Sequence, residues 1–525
     1  MMSARSMRHT FIAPFIGIPV AGLLSMIAFN VNAQEATVSR SPSLSPSLSP
    51  SLSPSFSSSL AVTQTLTDNR FLSRDDRQSE LITQVSPSLH FNKNFGRIRG
   101  HLDYSLNSYL YASDTSSSNF QNSLNAALQI EAIENWAFIN ANALISQQSI
   151  SAFGVQSPDP ALKTSNQSEV SSYSIAPYVR GAIPGVLTYQ AGANYSITRG
   201  GSFVAANSTS SGANAVISSD RTFSRLGWSA NVSRQNIDFD QGRRTESDRI
   251  NGILNFAVNP DLRLSTRVGR ESNNYQFSEK SNSSTWGYGV NWRPNERTRF
   301  SYETERRFFG KSHSLVLEYR TPKTVWNYQD SRDIAASSSD TRVGVTTHDL
   351  YLAQFASIAP DPVQRELLVN AFLLSYGINP NALVSGGFLT SAVSVQRRQN
   401  LSLALTGIRD VVILTAFKTE NSALDSLAPR TDDLSVGGSV RQQGLAVNVS
   451  HRLTPNSAVN FGITESKSSA TVGSRSARQR SFIATWTGRI NLRTNLSLTA
   501  RHVIFDSSTV PYNESALIAG FTFQF

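Results

Sequence analysis

The chain ends on Leu517-Ile518-Ala519-Gly520-Phe521-Thr522-Phe523-Gln524-Phe525. Apolar residues alternate with small or polar ones, and the last residue is a phenylalanine. A period of two places successive side chains on opposite faces of a β-strand. One face of this strand therefore meets an apolar medium and the other does not. Two architectures end this way: a strand whose apolar face meets lipid, and the last strand of a secreted β-sandwich. The rest of the chain decides between them.

The same alternation recurs upstream. Ile98, Gly100, Leu102, Tyr104, Leu106 and Leu110 share one face, with Arg97, Arg99, His101, Asp103, Ser105 and Asn107 on the other. Leu187, Tyr189, Ala191, Ala193, Tyr195 and Ile197 oppose Thr188, Gln190, Gly192, Asn194 and Ser196. Trp286, Tyr288, Val290 and Trp292 oppose Thr285, Gly287, Gly289 and Asn291, and Leu445, Val447 and Val449 oppose Gly444, Ala446 and Asn448. Runs of about 9–13 residues match the reach of a tilted strand across a hydrocarbon layer. The connections alternate too. Tight turns fall at residues 94–96, 182–185, 259–261, 293–296 and 454–456, and long polar segments at 112–119, 147–168, 199–212, 272–283 and 467–476. Short turns at one end and long loops at the other predict an antiparallel transmembrane β-barrel of about 22 strands, within a range of about 18–22. Both termini then lie at the periplasmic end. Trp136, Tyr109, Tyr111, Trp292, Trp326 and Tyr328 suit the aromatic girdles at the two interfaces. His502 fits poorly, since it shares a face with Leu496, Leu498, Ala500 and Ile504. Either it lies at headgroup level or the register slips there.

Bulk composition agrees with a barrel. A soluble chain of 525 residues would divide into several cores. Here Ser, Asn and Thr recur from end to end between short apolar alternations, as a wet lumen requires. Arg5, Arg8 and His9, the apolar run Phe11–Phe29 and Val31-Asn32-Ala33 read as a secretory signal cleaved after Ala33. Residues 34–59, with Ser-Pro-Ser-Leu repeated from Ser41, read as a Ser/Pro-rich periplasmic linker, and 60–525 as the barrel. The chain contains no cysteine, so disulfides, thiolate chemistry and a lipid-modified cysteine anchor are excluded. Residues 333–400 break the rhythm with helical character. Asp361 caps, Pro362 starts, and Val363, Leu367, Ala371 and Leu374 form a stripe that ends near Gly377. This reads as one long, partly helical extracellular loop on or in the barrel mouth.

No catalytic, cofactor or metal set emerges. The seven histidines are scattered, and nucleophile-elbow, phosphate-loop and dinucleotide signatures are missing, which points away from an enzyme. The charges expected to face inward carry more information: Arg97, Arg99, Asp103, Arg263, Arg267, Glu303, Glu305, Arg307, Glu318 and Arg320. Such a lumen either zips itself shut with ion pairs or, with arginine in excess, passes or holds an acidic polymer. A net charge of +10 on an exported barrel points to lipopolysaccharide phosphates and acidic glycans as partners, and not to nucleic acid.

Two resemblances narrow the setting. The terminal Phe521, Phe523 and Phe525 resemble the last strand of bacterial outer-membrane barrels, which implies an assembly signal read by the barrel-assembly machinery. The segment Arg306-Arg307-Phe308-Phe309-Gly310-Lys311-Ser312-His313-Ser314-Leu315-Val316-Leu317-Glu318-Tyr319-Arg320-Thr321-Pro322-Lys323-Thr324-Val325-Trp326, continuing to Asp333, resembles the hallmark of an uncharacterised outer-membrane family encoded beside exopolysaccharide and PEP-CTERM sorting loci. Thr65-Leu66-Thr67-Asp68-Asn69, Leu81–Pro87, the helical insertion and Ser450-His451-Arg452-Leu453-Thr454-Pro455-Asn456 resemble it as well. The resemblance spans roughly Leu60 to Phe525, and the Ser-Pro-Ser-Leu tract lies outside it. It implies a place in envelope exopolysaccharide or surface-protein export and carries over no site residues. The sequence therefore suggests a pore, alternatively a closed scaffold that meets envelope machinery, and third an enzyme that modifies a surface polymer.

Overall fold

The computed structural model describes residues 55–93, 95–114, 118–201, 207–219, 225–335, 393–424, 438–508 and 510–525, with isolated residues of 348–390 and 432–434 between them. The predicted helix start at Asp361-Pro362 and its stripe lie outside the described residues. Within that segment Arg365 and Val369 are helical, and Val369 is fully buried.

Twenty-two strands follow one another in chain order. The first six are β1 Ser55–Thr67, β2 Glu80–Lys93, β3 Ile98–Tyr111, β4 Asn119–Ile133, β5 Ala137–Ser149 and β6 Gln167–Ile183. Next come β7 Leu187–Gly200, β8 Ser208–Ser219, β9 Leu226–Phe239, β10 Thr245–Ala257, β11 Leu262–Asn273 and β12 Ser281–Asn295. Then follow β13 Thr298–Arg307, β14 Gly310–Arg320, β15 Thr324–Ala335, β16 Ser394–Thr406 and β17 Asp410–Ala423. The last five are β18 Ser439–Thr454, β19 Ser457–Ala470, β20 Ser476–Asn491, β21 Thr494–Ser507 and β22 Tyr512–Gln524. Each strand pairs antiparallel with its chain neighbours, and β22 returns to β1 with Leu60 opposite Phe523 and Val62 opposite Phe521. The sheet is a closed barrel without an edge strand, so its ladder groups pair inside the sheet, as hydrocarbon demands, with interruptions at bulges and at Pro87 and Pro177.

Large apolar side chains crowd the outer surface: Phe120 is 71% exposed, Val268 62% and Leu517 58%. In water such a surface would aggregate; in a bilayer it is the solvated face. Asn125, Asn142, Asn194 and Asn214 sit on the alternate positions and are exposed inward, so the lumen along β4–β8 is wet. The opposite wall differs. Ile413, Thr415, Phe417, Gln442 and Ala446 on the inner face of β17 and β18 are all buried.

The first described residue, Ser55, the terminal Phe525 and the short turns lie at one end, here the terminal end, where Gly96 and Gly185 adopt φ of 72° and 75°. The long segments lie at the other, the loop end. One connection departs from the predicted rhythm: β13 and β14 join at the loop end through Phe308-Phe309 alone, with Gly310 at φ 105°. Only glycine enters that region without strain, which lets so short a hairpin close there.

Three other expectations are revised. Ser55–Ser59, predicted as linker, form the start of β1, where Phe56 lies opposite Phe91. The insertion is narrower than 333–400, because Asp333–Ala335 complete β15 and Ser394–Asn400 open β16. Tyr109 and Tyr111 are not girdle residues; they point inward and are buried at the loop end. Trp136 is exposed in the β4–β5 turn and donates from Nε1 to Tyr189 Oη at 3.1 Å. Trp292 and Trp326 are exposed on the outer face. For His502 the register does not slip: it faces out opposite Ser515, with Nδ1 2.9 Å from Ser515 Oγ.

Candidate functional site

The chemistry-bearing side chains gather in two places, a charged ladder on the lumen wall and a packed mouth at the loop end.

The ladder runs over β10–β15. Arg267 donates to Glu305 and Glu303, both at 3.3 Å, and Arg249 donates to the same Glu305. Glycines make room for these carboxylates. Gly287 lies opposite Glu305 and Gly289 opposite Glu303. A Cβ on Gly287 would stand 2.2 Å from Thr304 O, and one on Gly289 would stand 2.5 Å from Ser265 Oγ. Higher up, Arg307 grips the fully buried Glu271 through Nε at 3.0 Å and Nη2 at 2.8 Å, and reaches Asp333 at 2.6 Å. The Phe308 N–H donates to Glu271 Oε1 at 2.9 Å, which ties the two-residue hairpin to the ladder. Arg299 lies 3.8 Å from Glu318.

The remaining sequence candidates are spread out. Asp103 pairs with His90 inside the barrel. Arg97 meets Glu134 at 3.1 Å in the exposed terminal-end turns, and Arg99 donates to Gly96 O. Arg320 donates to Glu296 O at 3.5 Å, while Arg263 faces inward and makes no ion pair among the described residues. The structure thus brings Arg267, Glu303, Glu305 and Arg307 onto one wall and leaves Arg97, Arg99 and Asp103 on another. Beside the ladder a polar recess of about 290 Å³ is lined by Asn194, Asn214, Gln235, Arg249, Tyr275 and Arg307. Among the described residues no group of three or more His, Asp or Glu side chains is placed to hold a metal ion.

The mouth is built by the β5–β6 connection, residues 150–166, which folds inward. Ala161 and Leu162 bury themselves against Leu72, Ile82, Tyr109, Tyr111, Val503, Phe505 and Tyr512. Tyr111 Oη donates to Ala161 O at 2.7 Å, Gln121 Nε2 to Pro160 O at 3.1 Å, and Tyr512 Oη to Gln156 O. Asp159 accepts from Arg501 Nη1 at 2.7 Å. Arg501 also holds the fully buried Glu514 through Nε at 3.2 Å and Nη2 at 2.8 Å, and Thr67 Oγ1 adds a hydrogen bond to Glu514 at 2.9 Å. A second knot joins Arg70 to Glu80 at 2.5 Å and to Asp114 at 3.2 Å.

The other end of the same connection reaches the opposite wall. Asp433, between β17 and β18, accepts from Ala152 N at 2.7 Å and Ser151 Oγ at 2.9 Å, with Arg475 at 3.4 Å. Phe153 packs with Phe388, Leu434 and Val440, and Leu389 N donates to Ser149 O at 3.1 Å. Strands β5 and β17 stand about half a circumference apart, so residues 150–166 bridge the mouth from wall to wall. Burial pushes the Asp433 carboxyl above its usual range, against the pull of its hydrogen bonds to Ala152 and Ser151 and of the Arg475 charge.

Sequence reading missed Glu271, Arg501, Glu514, Asp159 and Asp433. Arg501 and Asp159 stand 342 residues apart, beyond any local pattern. The available signal was a long polar connection that carries Phe153, Val155, Ala161 and Leu162.

A closed antiparallel barrel with a lipid-facing apolar belt and a wet, polar lumen is an integral outer-membrane β-barrel protein. No protein-family model matches the chain, and no curated protein matches it significantly. Solved structures share the architecture. The siderophore receptor PirA from Pseudomonas aeruginosa is 11% identical over 90% of this chain and 80% of its own, with a TM-score of 0.38. The ferric enterobactin receptor PfeA from the same organism is 10% identical over 89% and 81%, with a TM-score of 0.44. The outer membrane protein opdK, also from P. aeruginosa, is 9% identical over 90% and 99%, with a TM-score of 0.34. At such identities the likeness extends to barrel architecture and no further.

Proposed function

We propose that this protein is a passage across the bacterial outer membrane for a hydroxyl-rich polymer or a sorted surface protein, held shut at its extracellular mouth by residues 150–166. The observation that carries the reading is the wet inner wall of β4–β8, where exposed asparagines stand beside a ladder whose arginines are mostly answered by carboxylates. Amide and hydroxyl groups exchange hydrogen bonds with sugars as readily as with water. A largely neutralised charge wall neither traps nor repels a neutral polymer. The resemblance of Arg306–Asp333 to the family of exopolysaccharide and sorting loci supports that setting. The role is non-enzymatic, and lipopolysaccharide and the barrel-assembly machinery are the partners the membrane location calls for. Swelling of proteoliposomes in neutral oligosaccharides tests it. Replacing residues 152–162 with a Gly/Ser segment is expected to speed swelling well above that of the intact protein; absence of swelling in both forms overturns the passage reading.

A closed scaffold is the second reading, favoured by the buried inner faces of β17 and β18. It expects no swelling in either form and capture of an envelope protein at the loop end.

A further inference from the structure

The lipid-facing surface is not uniform around the barrel. From β3 to β5 no outward strand residue is charged. On β17–β20 the outward apolar run stops early. Leu445 (53% exposed), Ile463 (50%) and Phe482 (42%) mark its upper limit. Just above it the register sets Lys418 opposite Gln443, Gln443 opposite Lys467, and Lys467 opposite Arg478, one continuous row across four strands. Neighbouring strands lie about 4.8 Å apart, so the row is about 14 Å wide.

Its charge is unbalanced. Arg478 and Arg480 share the single Glu465 at 2.6 and 3.3 Å, and Glu420 is taken by Arg441 at 2.6 Å. Lys418 and Lys467 make no ion pair among the described residues. Five cations therefore face two carboxylates on a surface that looks into the membrane. Outward charges are costly at mid-membrane and tolerated at headgroup level, which fixes the height of the row. A row of cations persists there if a multiply anionic headgroup answers it, with acyl chains lying on the apolar side chains beneath.

We propose that the outward face of β17–β20 binds a lipid of the outer leaflet carrying more than one phosphate, its phosphates on Lys418, Lys467 and Arg478 and its chains on Leu445, Ile463 and Phe482. The inference needs only membrane insertion and stands whether or not the lumen conducts. The test is native mass spectrometry of the full chain in detergent micelles with diphosphoryl lipid A, with phosphatidylethanolamine as the comparison. The triple variant Lys418→Gln, Lys467→Gln, Arg478→Gln is expected to lose lipid A affinity by about a hundredfold. Phosphatidylethanolamine retention is expected to be the same in both proteins, and excess inorganic phosphate is expected not to displace bound lipid A. Equal lipid A retention in variant and parent overturns the proposal, as does equal retention of the two lipids by the parent. Should the variant fail to insert, a salt titration of the parent decides: lipid A binding must weaken as ionic strength rises, and salt-independent binding overturns the proposal.

Discussion

Removing the Arg501 guanidinium is expected to be among the most damaging single changes in the barrel. Its side chain is 4% exposed and Glu514 beside it is fully buried. Arg501→Met removes two hydrogen bonds to Glu514, at 3.2 and 2.8 Å, and one to Asp159 at 2.7 Å. Only Thr67 Oγ1 then remains on a carboxylate that has no water to turn to. A buried charge stripped of its partner costs about 3–5 kcal/mol, or roughly two to four decades in the unfolding equilibrium constant. The double variant Arg501→Met, Glu514→Leu removes both charges, and hydrophobic replacements of a buried pair are often neutral. Asp159 is 16% exposed and can stay hydrated. Urea unfolding of the protein in lipid vesicles, followed by tryptophan fluorescence, reads both variants. The expected result is a large loss for the single variant and recovery of most of it in the double. A single variant within about 0.5 kcal/mol of the parent, or a double variant as unstable as the single, refutes the reasoning.

Three further outcomes are expected. Ala193 and Asn194 are adjacent on β7, one facing lipid and the other the lumen. Ala193→Arg should cost about 2–4 kcal/mol in the same unfolding assay and Asn194→Arg under about 0.5, and equal costs would contradict the assigned faces. Deleting Phe525, whose N–H donates to Ser58 O at 2.9 Å across the closing β1–β22 seam, should lower the yield of heat-modifiable, inserted protein; an unchanged yield would remove the terminal assembly signal. Asp433 has a carboxyl raised by burial, so its protonated form favours the packed mouth. Stability of that contact is full below the ordinary carboxyl value of about 3.9 and is lost as pH rises through the raised one. Proteolysis within 150–166 should therefore slow as pH falls through that raised carboxyl value, and Asp433→Asn should flatten that dependence.

Much of the fold was legible because a strand reports its faces locally. Outward Trp286, Tyr288, Val290 and Trp292 and inward Glu303, Glu305, Arg263 and Arg267 lie on the faces that period-two alternation assigns, and the strand number follows from counting such runs. What alternation cannot report is which inward side chains meet across a closed ring. Arg501 and Glu514 belong to adjacent strands, but Asp159 arrives from a connection on another part of the wall. Tyr109 and Tyr111 looked like girdle residues because aromatics near strand ends serve either purpose. Their inward parity, opposite Leu110 on the same strand, was the overlooked cue. His502 lies on the outward face that alternation assigns it, opposite Phe482 and Ser515. On β17–β20 the outward apolar run likewise gives way to the row Lys418, Gln443, Lys467 and Arg478 toward the loop end.

The most direct test of the gated passage is single-channel conductance of the refolded protein in a planar bilayer, before and after residues 152–162 are replaced by a Gly/Ser segment. A small or intermittent conductance in the intact barrel and a large, steady one in the opened variant is the expected result. Silence in both forms would contradict the passage and leave a closed scaffold.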